Sequence, residues 1–286
     1  MITPLGEIVN DNKNTILKMW QVNVKPATRM LQEHRHVNFE ISLILEGDGI
    51  YHTVYGDQSI ERNNIFVFSS NEPHCITKIG ENGLKLINLH FSRQFIIENS
   101  FFDKNYPNIF YNHSKEFNPK INNSELINKC ISDIKNELNT KNIAYQSVIK
   151  SYLELIFIEL MRTHSYLPNE KVSDNIGTKI FESIDYIDKN FDTSITLEDI
   201  AKMSGITPNY FSKLFKDYIN INLWDYITAK RVEKAKKMIN EKTDETMLSI
   251  AISCGFNNTA NFNRAFKAHT GLTPSEFKKT KHIILH

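Results

Sequence analysis

Between Thr15 and Phe91 the chain alternates short apolar runs with clusters of turn-forming residues. The runs are ILKMWQVNV, FEISLILEG, GIYHTVYG, IFVFSS and LKLINLHF, and Gly, Asn, Asp and Pro lie between them. Short runs rich in β-branched and aromatic residues, bounded by turn residues, are typical of antiparallel strands. The pattern predicts an all-β sandwich or barrel, and we assign residues 1–120 to this domain.

The apolar positions take a helical period after Ser124. ELINKCISDIKNELN carries one apolar face, whereas YQSVIKSYLELIFIELMR is apolar over more than one face. A helix with so wide an apolar surface needs a partner, and both burial within the monomer and contact with a second subunit meet that need. We interpret residues 121–166 as a helical dimerisation segment and keep the monomer-burial alternative open.

A polar stretch without periodicity, LPNEKVSDNIG at residues 167–177, is predicted to be the domain linker. The rest of the chain, residues 178–286, is predicted to be all-helical. Within it IAKMSGI at 200–206 matches IAISCGF at 250–256, and the residues that follow match at an offset one residue longer. Each copy is a helix, a short turn at Gly205 or Gly255, and a second helix, which is the sequence form of a helix-turn-helix.

Capping residues support these helices. Thr207 and Pro208 indicate the start of one second helix, Asn220 and Gly271 are suited to end the two copies, and the segment from Thr273 to Glu276 is a capping box. Between the copies LWDYITAKRVEKAKKMIN is predicted to be one helix, about 27 Å long at 1.5 Å per residue. Such a connection would hold the two second helices close to one turn of DNA apart, about 34 Å.

Composition and charge refine this interpretation. The chain has 286 residues with a net charge of +1, but residues 1–175 carry −2 and residues 202–281 carry +7. A basic helical part is compatible with nucleic-acid binding. The chain has no long apolar run and no signal-peptide pattern at its start, so we expect a cytoplasmic protein without membrane association. Its three scattered cysteines, Cys75, Cys130 and Cys254, are expected to be reduced thiols.

The outward faces of the two second helices carry chemistry suited to DNA. Amides pair with adenine, arginine pairs with guanine, small residues contact the thymine methyl group, and lysine meets phosphate. The predicted DNA-contacting residues are Asn209, Tyr210, Ser212, Lys213 and Lys216 in the first copy, and Thr259, Ala260, Asn261, Asn263, Arg264 and Lys267 in the second.

This part of the chain resembles the DNA-binding domain of AraC-type transcription regulators. The resemblance rests on LEDIAKMSGITPNYFSKLFKDYI, on YITAKRVEKAKKMI and on IAISCGFNNTANFNRAFKAHTGLTPSEF. It implies two helix-turn-helix motifs joined by a linker helix. It also implies that the base-facing residues are Asn209, Ser212 and Lys213 in the first motif, and Ala260, Asn261 and Arg264 in the second. The chain departs from the family at Asn220, where glycine is usual.

The N-terminal part contains a group of metal-ligand residue types. His34, His36 and Glu40 lie at even positions, so a regular strand would direct all three to one face. His74 follows a later strand and would complete a set of three imidazoles and one carboxylate, which suits iron, manganese, zinc or nickel. The stretch resembles the cupin motif, in which such residues are followed by a glycine, here Gly47.

The cupin resemblance is incomplete, because Thr28, Asn63, Ser69 and Asn71 stand where cupins have glycine or proline. Two interpretations therefore stay open. The four residues bind a metal, or they line a metal-free pocket that binds an effector through hydrogen bonds. We expect the second, with no cofactor and no catalytic residue.

The resulting prediction is a ligand-responsive transcription regulator with a cupin-like sensory domain and a double helix-turn-helix domain. Its expected partners are double-stranded DNA, a small metabolite such as a sugar, and a second copy of the chain, with RNA polymerase as a further candidate. The alternatives are a metal-dependent cupin enzyme fused to a DNA-binding domain, and a sensor of metal or redox state that uses Cys75.

Overall fold

The computed structural model describes residues 2–9, 15–26, 33–92, 95, 118–163, 175–219, 221–241 and 245–279. The chain divides into two compact units, and each is considered by itself. Most of the predicted linker, residues 167–177, lies outside the described residues. Its last three residues are already helical, because the first helix of the C-terminal unit begins at Asn175.

The N-terminal unit is built on one antiparallel sheet. Its strands are β1 (Ile2–Val9), β2 (Thr15–Val24), β3 (Phe39–Thr53), β4 (Gly56–Ile60), β5 (Ile65–Phe68), β6 (His74–Phe91) and β7 (Lys120–Ile121). They pair in the order β1-β2-β6-β3-β5-β7, and β4 pairs with β3. The predicted antiparallel β domain is confirmed.

The two longest strands, β3 and β6, form the spine of this sheet. They pair from Phe39 opposite Phe91 to Thr53 opposite His74, with three register shifts that bend the pair. One shift begins at Gly47, which has φ +92° and where a Cβ atom would collide with the carbonyl oxygen of Gly83. The first six residues of β3 are buried on both faces, so polar side chains there lie inside the unit.

Strand β1 was not expected from the sequence. Pro4 and Gly6 interrupt its apolar pattern, and the register with β2 shifts between these two residues. Pro cannot donate to a neighbouring strand, and this is tolerated because β1 is an edge strand. Gly6 lies against the first helix, since a Cβ atom there would stand 2.8 Å from Cβ of Leu138. The irregular pattern is therefore the result of a bulge and a close contact.

Two helices, α1 (Glu125–Thr140) and α2 (Tyr145–Thr163), form a hairpin in the same unit. The side chain of Ser124 caps α1 by accepting a hydrogen bond from the backbone of Ile127 at 3.3 Å. The wide apolar surface of α2 is largely used inside the unit, where the ring centroids of Phe157 and Phe91 lie 5.7 Å apart. The buried side chains of α2 are Ile149, Leu153, Ile156, Phe157 and Leu160. Burial within the monomer accounts for these residues.

The C-terminal unit is helical, as predicted. Its helices are α3 (Asn175–Asn190), α4 (Leu197–Ser204), α5 (Pro208–Ile219), α6 (Leu223–Glu241), α7 (Met247–Ser253), α8 (Thr259–Thr270) and α9 (Pro274–Lys279). The pairs α4–α5 and α7–α8 are the two helix-turn-helix motifs, with Gly205 and Gly255 in the left-handed region at φ +66° and +84°. Helix α6, which connects them, has 19 residues.

The predicted capping residues are found where the structure describes them. Helix α5 starts at Pro208, and Gly271 ends α8 in the left-handed conformation at φ +75°. The capping box forms, since the carboxylate of Glu276 accepts from the backbone of Thr273 at 2.8 Å. Asn220 lies outside the described residues. Within the described residues, no helix is long and apolar enough to span a membrane.

Candidate functional site

Helix α5 separates an apolar face from a polar one. Phe211 and Phe215 are fully buried on one side, with their ring centroids 5.9 Å apart. On the other side lie the predicted DNA-contacting residues. Ser212 is half-buried, and the others are exposed: Asn209, Tyr210, Lys213 and Lys216. Tyr210 is 45% exposed, so its ring is accessible to a partner.

Helix α8 repeats this arrangement. Phe262 and Phe266 are fully buried and pack edge to face, with centroids 5.6 Å apart. The six predicted residues of its polar face are all exposed: Thr259, Ala260, Asn261, Asn263, Arg264 and Lys267. The structure therefore brings together, on one face of each second helix, the side chains that the sequence assigned to DNA.

Two side chains give the start of α8 a defined geometry. Asn258 caps the helix, because its Oδ1 atom accepts from the backbone nitrogen of Asn261 at 2.8 Å. The side chain of Asn261 in turn accepts from Nη2 of Arg264 at 2.9 Å. The guanidinium group is held at the exposed surface by a neighbour one turn away. Sequence reasoning missed the cap, although Asn before a helical run is a common start signal.

The N-terminal unit contains a buried polar cluster centred on Glu40, which is 1% exposed. Its Oε2 atom lies 2.6 Å from Nε2 of His90, and its Oε1 atom accepts from Ser42 at 2.6 Å. Ser42 Oγ also lies 2.8 Å from Oδ1 of Asn88. These contacts follow from the register of β3 and β6, in which Glu40 pairs with His90 and Ser42 with Asn88. Trp20 packs edge to face on His90 at 4.4 Å.

His74 adjoins this cluster and is fully buried. Its ring stacks on Phe68 with centroids 3.9 Å apart, its Nδ1 atom lies 2.8 Å from the carbonyl oxygen of Glu72, and its Nε2 atom lies 3.4 Å from Glu40. Burial opposes the charged imidazolium, but hydrogen bonding and the charge of Glu40 outweigh it, so the pKa of His74 is raised. The environment favours a positive charge beside the Glu40 carboxylate.

The structure corrects the expectation that His34, His36 and Glu40 lie on one regular strand. Strand β3 begins at Phe39, so His34 and His36 precede it, and a single regular strand does not carry all three predicted residues. Glu40 and His74 lie together in the N-terminal unit, with Oε2 of Glu40 3.4 Å from Nε2 of His74, whereas the segment His34–Val37 is grouped with the C-terminal unit. The rings of His34 and His36 are 6.0 Å apart.

The predicted donor set fits two kinds of ligand. Three imidazoles and a carboxylate match the preferences of divalent transition metals, and the same groups can hydrogen-bond a polar organic molecule. Sequence reasoning missed His90, Ser42 and Asn88. Asn88 and His90 occupy alternate positions in LKLINLHF, which is a signal that a polar row faces the interior.

The three cysteines are all free and buried. Burial raises the pKa of Cys130 to about 11 and that of Cys254 to about 12, and it also raises the pKa of Cys75. Thiols with raised pKa values react slowly, because the thiolate is the nucleophile. The expectation of reduced thiols stays a prediction, and the redox alternative gains no support from Cys75.

Comparison with known families now identifies the two units. The sequence profile described as an AraC-like ligand binding domain matches residues 25–138, which include the whole polar cluster. A profile described as a helix-turn-helix domain matches residues 200–280, which include α5 and α8. The chain belongs to the AraC family of transcription regulators. The resemblance seen in the repeated helices thus extends over the sensory part of the chain.

Relatives of the AraC family agree with this assignment. The melibiose operon regulatory protein of Escherichia coli strain K12 is 21% identical over 267 residues, which cover 87% of this chain and 84% of the relative. The transposon Tn10 TetD protein of Escherichia coli is 36% identical over 104 residues, covering 36% of this chain and 75% of that protein. The first relative matches both units, so the two-domain order is shared.

Solved structures show the same fold. Wild-type ToxT from Vibrio cholerae with bound unsaturated fatty acid superposes with a TM-score of 0.64 at 15% identity, covering 93% of this chain and 95% of ToxT. At this identity the similarity concerns the fold alone. The protein is therefore an AraC-family regulator with an N-terminal ligand-binding domain and a C-terminal helix-turn-helix domain.

Proposed function

We propose that this regulator inserts α5 and α8 into successive major grooves of its DNA site and reads bases with their exposed polar faces. The observation that supports this most strongly is the duplicated arrangement. Both helices bury two phenylalanines and expose an amide and two basic side chains, with Lys213 and Lys216 at the positions that correspond to Arg264 and Lys267. One amphipathic helix would be an ordinary solvated surface, but two matched ones joined by a single helix are what contact with successive major grooves requires.

The residues divide into two roles. Arg264, held by Asn261, is suited to pair with guanine, whereas Lys216 and Lys267 are suited to contact phosphates. Arg264→Ala should weaken the specific site by about 1–3 kcal/mol and relax the preference at one base pair. Lys267→Ala should weaken all sequences alike. Selection of binding sites from random duplex DNA, run with both variants, distinguishes them, and unchanged base preference for Arg264→Ala would contradict the assignment.

We infer that the effector binds at the polar residues His34, His36, Glu40 and His74. The support is that all four lie within residues 25–138, which match an AraC-like ligand binding domain, and that Glu40 Oε2 lies 3.4 Å from His74 Nε2 in the N-terminal unit. The cluster offers charged and neutral hydrogen-bonding groups, which suits a small polar metabolite such as a sugar. A relative named for the melibiose operon favours the same class.

One experiment compares sugars with two other effector classes. Fatty acids are suggested by the ToxT structure, and divalent metals by the donor set. The purified protein is mixed with sugars, fatty acids, or zinc, manganese, iron and nickel salts, and its melting temperature is recorded, because a ligand that binds only the native state raises it. His74→Ala should abolish the rise for a ligand bound at the cluster. A rise that survives both His74→Ala and His36→Ala would place the effector elsewhere.

Further proposals concern the assembly, the protein partner and the location of the regulator. We propose a homodimer formed through α1 and α2, action on RNA polymerase at the promoter, and a location in the cytoplasm together with the DNA.

We also propose that the protein has no enzymatic activity. One relative, AdaA of Bacillus subtilis, is described as a bifunctional transcriptional activator and DNA repair enzyme. Its 36% identity extends over only 39% of this chain. Elemental analysis and turnover assays on the purified protein test the enzyme alternative.

A further inference from the structure

The two helix-turn-helix motifs are joined by α6, and one face of α6 reaches back to the chain segment that ends α3. Tyr226, Lys230 and Lys234 follow one another at intervals of four on that face, and Arg231 lies beside them, three residues before Lys234. Residues three or four apart lie on the same side of a helix. Each of the four has a hydrogen-bond or ion-pair partner between residues 188 and 193. The face is therefore a contact between the connecting helix and the helix that supports the first motif.

Two of these contacts involve Asp188, in the last turn of α3. Tyr226 Oη donates to Asp188 Oδ1 at 2.8 Å, and Lys230 Nζ lies 2.9 Å from Asp188 Oδ2. The side chains of Lys230 and Asp188 are only 14% and 8% exposed. Lys234 forms a third contact with Asp192. Paired and shielded charges of this kind have a defined geometry, unlike mobile surface pairs.

Arg231 binds backbone carbonyl groups rather than a side-chain carboxylate. Its Nε atom donates to the carbonyl oxygen of Phe191 at 2.6 Å, and its Nη2 atom donates to that of Thr193 at 3.0 Å. The guanidinium group is planar with donors at fixed angles, so two such bonds fix its orientation. The carbonyls lie just beyond the end of α3, where the helix dipole favours a cation.

The other side of Arg231 meets the second motif. Its guanidinium carbon lies 5.9 Å from the ring centroid of Phe256, and Phe256 packs on Phe262 of α8 at 5.3 Å. Gly255 approaches the same group so closely that a Cβ atom there would stand 2.9 Å from Arg231 Nε and from Cα of Asp192. Arg231 therefore touches the end of α3 and the turn of the second motif at the same time.

We propose that Arg231 is a positioning residue for DNA recognition, which fixes the orientation of the second recognition helix relative to the first and thereby sets the number of base pairs between the two half-sites. This rests on the proposed DNA function. A helix such as α6 sets a distance along its axis, but it does not by itself fix how each motif is rotated about that axis. Arg231 joins the end of α3, which packs against both helices of the first motif, to the turn of the second motif, and so supplies the missing constraint.

The consequence can be measured as tolerance of half-site spacing. One inserted base pair moves the second half-site by about 3.4 Å and turns it by about 35°. A rigid pair of recognition helices cannot follow this change, so wild-type affinity should fall by about tenfold or more, comparable to a mismatched base pair. Arg231→Gln should bind the original spacing more weakly and should lose less than about threefold on insertion.

The experiment uses the full chain and duplex DNA selected from a random pool. Wild type first yields its bipartite site, and affinities are then measured for that site and for versions with one base pair inserted or removed. The matched control is Lys236→Gln, which removes a positive charge from the same helix; the ion pair of Lys236, at 2.8 Å, is with Glu233 of that helix. Its spacing penalty should equal that of wild type.

Each outcome decides the proposal. A folded Arg231→Gln protein with the wild-type spacing penalty overturns it, while the DNA function stands because wild type selected a site. If wild type selects no bipartite sequence, both the function and this inference fail. If Arg231→Gln does not fold by circular dichroism, Arg231→Lys decides, since it keeps the charge and lacks the planar fork. An unchanged penalty in Arg231→Lys then overturns the proposal, and a reduced one supports it.

Discussion

At the scale of single residues, the polar side chains of interest form a buried set in the N-terminal unit and an exposed set on α5 and α8. Glu40 is 1% exposed and holds His90 and Ser42, whereas Arg264 and Lys267 lie at the surface. The exposed set was predicted from helical periodicity, because side chains opposite buried phenylalanines must face outward. The buried set was predicted only in part. His90 joins Glu40 through cross-strand pairing, and a register between distant strands cannot be read from either strand alone.

Replacement of Glu40 should reveal how much the cluster contributes to stability. Glu40→Ala removes one hydrogen-bond partner from each of the buried His90 and Ser42, and a buried polar group that becomes unsatisfied costs about 1–3 kcal/mol. Chemical denaturation of the variant measures the loss. The control is Glu46→Ala on the same strand, where the exposed pair with Lys85 should contribute less than about 1 kcal/mol. Equal stability of the two variants would contradict the role assigned to the cluster.

The cap of α8 gives a second prediction at this scale. Asn258→Ala removes the acceptor for the backbone of Asn261 and should lower the free energy of unfolding by about 1 kcal/mol. Asn257→Ala, at the exposed neighbouring position, is the matched control and should change it little. Thermal unfolding of both proteins tests the difference. If the two variants unfold at the same temperature, the capping contact does not stabilise α8.

At the scale of elements, the sequence predicted regular segments well and irregular ones poorly. The two helix-turn-helix motifs, the connecting helix and its caps follow from local periodicity and capping chemistry, which each segment carries in itself. Strand β1 was missed because Pro4 and Gly6 disturb its alternation at a bulge. His34 and His36 were assigned to a strand that begins only at Phe39. Such boundaries depend on pairing partners elsewhere in the chain.

The helical hairpin α1–α2 carries the prediction on assembly. Leu153 is 1% exposed and belongs to the core, whereas Leu155 and Leu126 are 42% and 39% exposed. If the hairpin forms the dimer contact, Leu155→Glu should dissociate the dimer and leave the protein folded, while Leu153→Glu should unfold it, because an unpaired charge in the core is costly. Sedimentation and circular dichroism measure both effects. A folded Leu155→Glu protein with an unchanged sedimentation coefficient would exclude Leu155 from the interface.

At the scale of the whole molecule, positive charge is concentrated in the helix-turn-helix part of the chain. Residues 1–175 carry −2 and residues 202–281 carry +7, and the second range overlaps the helix-turn-helix profile at residues 200–280. The distribution of charge could be predicted from the sequence because it requires only a count of charged residues along the chain. The identity of the effector was not visible, since it depends on the shape of a site assembled from separate segments, and family membership does not determine what such a site binds.

The charge division predicts which part of the chain sets the salt dependence of DNA binding. Each phosphate contact contributes about 0.9 to the slope of log K against log salt concentration. If α5 and α8 and their surroundings make all these contacts, a fragment of residues 170–286 should show the same slope as the full chain on the selected site. A dimer of the full chain gains affinity through effective concentration and doubles the phosphate contacts when both of its helix-turn-helix domains bind, so the slopes are compared per bound domain. Titrations at several salt concentrations measure both quantities. A clearly smaller slope for the fragment would mean that the N-terminal unit also contacts DNA, and the division of labour between the two units would then be wrong.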